Sequence, residues 1–200
     1  MTIDLITKLQ SVDLDAMAKR AYVNAKRHGF HNGDMEINHW LCLVICELSE
    51  AVEADRYNKR ALPEAFYRAM KEPVSPHEAA SPEEIYDCWF KAYIKDTVED
   101  ELADAAIRLL DLAGSMDVLI NEAYTKYQRV YVCNFAESWS FTEKIFSIEQ
   151  IIVGSKFVSI PDILYQIYCL ADSLGFDLFE YIERKMTYNE HRPFKHGKEY

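Results

Sequence analysis

Two pairs of carboxylates have the spacing and setting to do chemistry. Glu47 and Glu50 lie three apart in "NHWLCLVICELSEAVEADR" (residues 38–56), and Glu101 and Asp104 lie three apart in "EDELADAAIRLLD" (residues 99–111). On a helix, at ~100° per residue, such pairs are neighbours on one face with Cβ atoms ~5–6 Å apart. Trp40, Leu43, Val44, Ala51 and Ala54 fall within ~60° of Glu47, with Glu50 at the edge of that face. Ile94, Val98, Ala105 and Leu112 surround Glu101, and Arg108 and Asp111 extend the polar strip. Leu102, Ala106, Ile107, Leu109 and Leu110 cover most of the remaining circumference. The second helix is therefore expected to be largely buried, so its acids cannot simply form a wet face. Four carboxylates converging inside a bundle would repel one another and lose hydration, and must either take protons or bind cations. Oxygen donors without imidazole or thiolate suit hard ions, Mg²⁺ first and Mn²⁺ second.

A single ExxE or ExxD usually marks a solvated helix face, but two such pairs in apolar helices weaken that reading. A di-iron bundle wants two ExxH motifs besides its glutamates. The ExxH found here, Glu36 to His39, sits at a helix start. The C-terminal segment adds cations: Tyr181, Lys185 and Asn189 recur at i, i+4 and i+8, followed by Arg192, Lys195, His196 and Lys198. In a chain of net charge −11 this is the densest positive cluster. Cations and an amide beside a divalent-metal site form a receptor for polyphosphate.

The elements that must position these groups read as helices nearly throughout. One helix is expected from about Leu14 to Arg27, ended by "HGFHNGD", and the first acidic helix from about Glu36 to Arg60. Ser81-Pro82-Glu83-Glu84 is an N-cap with proline at the first helical position. The helix it starts either runs through the second acidic pair or breaks near Lys95, with Gly114 as its end. Residues 119–135 read as a further helix. The stretch 136–158 fits strand and helix equally, being rich in β-branched and aromatic residues yet helically spaced in "IFSIEQII". Pro161 and Asp162 start a helical hairpin, Gly175 closes its first arm and Asp177 caps the second, before a basic, turn-like tail.

The bulk numbers bound the class. Two hundred residues, half of them apolar, suffice for one all-α domain with a substantial core. The acidic balance disfavours a nucleic-acid polymer as partner, since that needs a basic face. No apolar run approaches the ~20 residues of a membrane span. The stretch "MTIDLITKLQSVDLDAMAKR" lacks the pattern of a secretory signal. Five scattered cysteines without a CxxC argue against a disulfide framework or a zinc site, so reduced thiols in a cytoplasmic protein are expected.

These blocks resemble the all-α nucleoside triphosphate pyrophosphohydrolases of the MazG-like type. "ELSE" (47–50) and "ELAD" (101–104) are similar to that family's ExxE…ExxD signature. "NAKRHGF", "KDTVEDELADAAIRLLDLAG" and "KMTYNEHRPFKHGK" extend the likeness from about Tyr22 to Gly197. The resemblance implies a helical bundle, assembling as a homodimer or homotetramer, that cleaves a nucleoside triphosphate to the monophosphate and pyrophosphate. By position it implies Glu47, Glu50, Glu101 and Asp104 as Mg²⁺ ligands, with Glu47 or Glu50 also acting on the attacking water. Lys185 and Asn189, assisted by Arg192 or Lys195, are implied as phosphate contacts, and Asn24, His28 and Trp40 as base or sugar contacts. About fifty residues separate Glu50 from Glu101, more than in compact relatives, so the connection at about 60–95 is enlarged. Three alternatives stay open: a nucleotide- or metal-binding protein without turnover, a phosphoribosyl-ATP pyrophosphohydrolase-like enzyme, and a purely structural helical protein. The base, the sugar and whether the nucleotide is modified are not legible.

Overall fold

In the computed structural model, residues 2–33, 35–72, 81–126, 132–154 and 159–197 are described, and among them the chain is all-α, with no strand. The order is α1 (Thr2–Ser11), α2 (Leu14–Arg27), α3 (Ile37–Arg56), α4 (Pro63–Lys71), α5 (Pro82–Tyr93) and α6 (Val98–Ser115). Then come α7 (Ile120–Lys126), α8 (Phe141–Gly154), α9 (Ile160–Leu174), α10 (Leu178–His191) and a short 3₁₀ turn, Phe194–Gly197. The helices pack against one another around α6, which lies mainly on α3 and α2 and then on α10. Leu102, Ala103, Ala106, Leu109, Leu110 and Ala113 bury different sides of α6, as expected of a central helix. No helix among the described residues is long and apolar enough to cross a membrane.

The chain does break near Lys95, and the cause is local. Asp96 takes a left-handed backbone (φ 60°), which aspartate tolerates better than most residues. Thr97 then caps α6: its hydroxyl accepts from the Asp100 amide at 3.3 Å and donates to the Ile94 carbonyl at 2.7 Å. Glu99, Asp100 and Glu101 crowd the first turn, where the helix dipole favours negative charge. Ser81 and Glu84 form the capping box of α5, the Ser81 amide donating to Glu84 at 2.8 Å. The enlarged connection folds as α4 and α5. Phe66 is buried edge-on to Tyr86 at 5.5 Å, and the Arg184 guanidinium of α10 covers Tyr67 at 4.6 Å.

Several expectations are corrected. Helix α1 precedes the expected first helix; Leu9 is buried, and the Gln10 amide donates to the Tyr124 carbonyl at 3.2 Å. The helix expected over 119–135 covers Ile120–Lys126 and is not helical at 132–135; residues 127–131 lie outside the described residues. So do 155–158 of the ambiguous stretch, 73–80 of the proline-rich connection, and Lys198. Within the ambiguous stretch 136–140 are not helical and Phe141–Gly154 form α8, because Ser140 and Glu143 form a reciprocal cap and Ile145, Ile148 and Ile152 enter the core at helical spacing. Cys133 and Cys169 are joined in a disulfide with Cα atoms 6.2 Å apart, against the expectation of reduced thiols; Cys42, Cys46 and Cys88 are free and exposed. Gln166 holds the same segment, bonding the Val132 carbonyl and the Asn134 amide at 2.9 Å each, which brings Cys133 against α9.

Helix α6 ends one residue past Gly114, at Ser115, and Gly114 itself sits at the crossing with α2. A Cβ there would lie 2.5 Å from the Ala18 carbonyl oxygen and 2.8 Å from Tyr22 Cβ, so only glycine allows this approach. Gly114→Ala is therefore expected to cost about 1–3 kcal/mol by overpacking. Urea melts check this, and equal stability of the two proteins would refute the close crossing.

Candidate functional site

Four elements enclose one pocket of about 190 Å³. Helix α3 supplies Glu47 and Glu50, α6 supplies Glu101, Asp104, Arg108 and Asp111, and α10 supplies Lys185 and Asn189. Helix α2 and its following turn supply Asn24 and Phe30. The i, i+3 spacing turns each acidic pair toward the same cleft between α3 and α6. Glu47, Glu50 and Glu101 each present an oxygen such that the three lie within 4.8 Å of one another. Asp96, Asp100 and Glu101 form a second such group, with Glu101 common to both.

The fourth expected acid has a different partner. Lys185 Nζ lies 2.7 Å from both Asp104 and Asp100, in a nearly dry setting. Burial alone would push the Asp104 carboxyl up, but the Lys185 ammonium outweighs it and holds Asp104 below its ordinary value. Burial works against the Lys185 charge as well, yet Asp104 and Asp100 keep it firmly protonated. Asp100 itself is pushed up to about 6 by burial, with Lys185 opposing. Among the described residues its second oxygen, Oδ1, has no hydrogen-bond partner, and the same holds for Asn189 Oδ1.

The acids that meet directly are strained electrostatically. Burial, with Asp100 and Asp104 adding repulsion, pushes Glu101 up to about 9. Glu47 is pushed up to about 7 by burial and Asp104, while Arg108 restrains it. Arg108 donates from Nε and Nη2 to Glu47 Oε1 at 3.0 and 2.9 Å, which fixes the orientation of that carboxylate. A buried carboxylate held near neutral by its neighbours is relieved when a cation arrives. The three oxygens from Glu47, Glu50 and Glu101 are a donor set that fits a hard divalent ion such as Mg²⁺ or Mn²⁺.

Of the residues expected to touch substrate, Asn24, Lys185, Asn189 and Arg192 line the pocket. His28, Trp40 and Lys195 stand behind its walls. His28 is buried, Nδ1 lying 2.8 Å from the Asn24 carbonyl and Nε2 2.9 Å from the Arg192 carbonyl. The Lys195 amide donates to the His28 carbonyl at 2.8 Å. Gly29, at φ 84°, lies so close under Phe194 that a Cβ would come within 2.2 Å of the ring. The "HGF" turn thus clamps the C-terminal segment and sets Arg192 at the pocket rim. Trp40 stacks on His31 at 4.5 Å, and His31 Nε2 lies 2.7 Å from Asp111 Oδ1.

Sequence reasoning missed Asp96, Asp100, Phe30 and His31. Asp100 carried a readable signal, since it stands four residues before Asp104 and so shares one flank of α6 with it. His31 and Phe30 come from a turn after α2, whose direction no periodicity specifies. Compared with protein-family models, curated proteins and solved structures, the chain has no match in any of the three.

Proposed function

We propose that this chain is a divalent-metal-dependent nucleoside triphosphate pyrophosphohydrolase of the MazG-like type. The observation that carries the reading is the convergence of Glu47, Glu50 and Glu101 from two helices within 4.8 Å, beside Lys185, Asn189 and Arg192. Glu47, Glu50 and Glu101 would hold the ion, with Asp104 adjoining. When bound, Mg²⁺ neutralises phosphate charge and acidifies water. Every other part of the task falls to the chain's own groups.

Water attacks the α-phosphorus, the bond from that phosphorus to the bridging oxygen of the β-phosphate breaks, and pyrophosphate leaves. Glu47 takes the proton of the attacking water: it is buried, lines the pocket and is oriented by Arg108. Glu50, more exposed, borders the entrance. Lys185 neutralises Asp100 and Asp104, so the triphosphate does not meet two further bare carboxylates. The Asn189 amide and the Arg192 guanidinium are the donors placed for phosphate oxygens. The reading also carries a homodimer or homotetramer and a cytoplasmic location.

A panel of ribo- and deoxynucleoside triphosphates, assayed for pyrophosphate with Mg²⁺, Mn²⁺ or EDTA, tests it. Pyrophosphate and monophosphate in equal amounts, lost in EDTA, are the expected products. Release of orthophosphate, or metal-dependent binding without turnover, would overturn the hydrolase reading.

A further inference from the structure

The pocket has two chemically different ends. Glu101 and Asp111 stand ten residues apart on α6, which places them ~15 Å apart along the helix axis. The Glu101 end holds the carboxylate cluster and Lys185. Asp111 marks the other end, and Phe30 and Asn24, from α2 and the turn that follows it, line the same pocket. If the phosphates occupy the first end, as the proposed hydrolase reading requires, the base must reach toward the second.

Asp111 is prepared as a hydrogen-bond acceptor. It is buried yet lines the pocket. Its Oδ1 is engaged by His31 at 2.7 Å, and its Oδ2 makes no hydrogen bond within the protein among the described residues. His31 is itself immobilised, stacked on Trp40 at 4.5 Å and edge-on to Tyr22 at 4.9 Å. The Arg108 guanidinium, which also lines the pocket, is committed to Glu47 by two nitrogens and so turned toward the acidic end. The charged group offered to a base is therefore a fixed carboxylate, in a pocket that Phe30 also lines.

We propose that Asp111 reads the base and selects nucleotides whose base presents an exocyclic amino group. A carboxylate only accepts hydrogen bonds. The 4-amino group of cytosine or the 6-amino group of adenine donates to Oδ2. Uracil and hypoxanthine place a carbonyl oxygen at that same position, which sets lone pairs against the carboxylate and leaves it unpartnered. His31 acts through Asp111 as a positioning residue.

The test compares pairs differing only in amino against oxo: CTP with UTP, and ATP with inosine triphosphate, on the wild-type chain and Asp111→Asn. Asparagine preserves the acceptor for His31 and adds a donor toward the base. We expect kcat/KM on wild type to favour each amino nucleotide at least about tenfold. In Asp111→Asn the ratio falls to within about threefold, through better use of the oxo partner. A merely structural role for Asp111 would lower both substrates together and leave the ratio unchanged, which overturns the proposal. So does a wild-type ratio near one in both pairs, a measurement that stands even when the variant does not fold.

Calorimetric binding of CMP and UMP to the Mg²⁺-supplemented full chain separates the two readings. Tighter CMP binding, levelled by Asp111→Asn but without turnover of any triphosphate, sinks the hydrolase reading and upholds the base reading. Turnover without discrimination does the reverse, and neither binding nor turnover removes both.

Discussion

Glu101→Gln lowers kcat/KM for pyrophosphate release by at least about 10³-fold, roughly 4 kcal/mol of transition-state stabilisation, and leaves the helical circular-dichroism signal intact. Glu101 is common to both carboxylate groups, so no other acid substitutes for it. The change is mild for the metal-free fold, because Glu101 is held up to about 9 by burial, then by Asp100 and Asp104, and is mainly protonated at neutral pH. Glutamine has nearly the shape of that neutral acid. The sign of the pH dependence follows. Glu101 titrates near 4.5 when unfolded and near 9 when folded, so its favourable contribution is complete below the lower value. It is lost as pH rises through the upper one. In EDTA the wild-type chain should lose stability over that range, and Glu101→Gln should lose less. Mg²⁺ should raise the melting temperature of wild type at pH 8 and have no such effect on the variant. Activity surviving in Glu101→Gln removes this residue from the metal site.

Lys185→Met destabilises the chain by about 3–5 kcal/mol, the usual cost of removing one partner from a buried ion pair. Lys185 is 3% exposed and Asp100 1%, so the variant leaves the dry Asp100 and the half-buried Asp104 without their cation. The hydrophobic stem of methionine replaces the volume but not the charge. For a chain of this size the melting temperature falls by on the order of 10 °C. Adding Asp100→Asn to Lys185→Met should restore part of the loss, since one of the two bare charges disappears. The double variant is then less damaged than the sum of the singles, as coupled sites require. Urea melts of the four proteins make the comparison, and a Lys185→Met chain within about 1 kcal/mol of wild type contradicts the buried triad.

Parts of this architecture were legible because they are properties of short sequence windows. Ser81 and Asp177 are caps whose side chains reach amides two or three residues on, so α5 and α10 begin where the residue types say. The burial of Glu47 and Glu101 also followed from local periodicity, since their helical neighbours within one turn are apolar. Where local signals were equal, local reading failed. The stretch that forms α8 carries β-branched and aromatic residues that suit a strand, and the cap at Ser140 and Glu143 decides for the helix. Gly114 reads as a helix end and stands one residue before it, but the need for glycine there comes from the crossing with α2. Its role depends on Ala18 and Tyr22, nearly a hundred residues away.

The sequence by itself determined the all-α class and which faces of α3 and α6 carry acids. Periodicity and capping act within a few residues and need no partner element. Only the tertiary structure decided the pairings. Lys185 meets Asp100 and Asp104 across more than eighty residues, Arg108 meets Glu47 across sixty-one, and His31 meets Asp111 across eighty. Lys185 shows the difference most clearly: on the helical wheel it was a free cation next to Asn189. In the folded chain it lies in low-dielectric surroundings, where an unpaired charge is costly, so it seats between two aspartates.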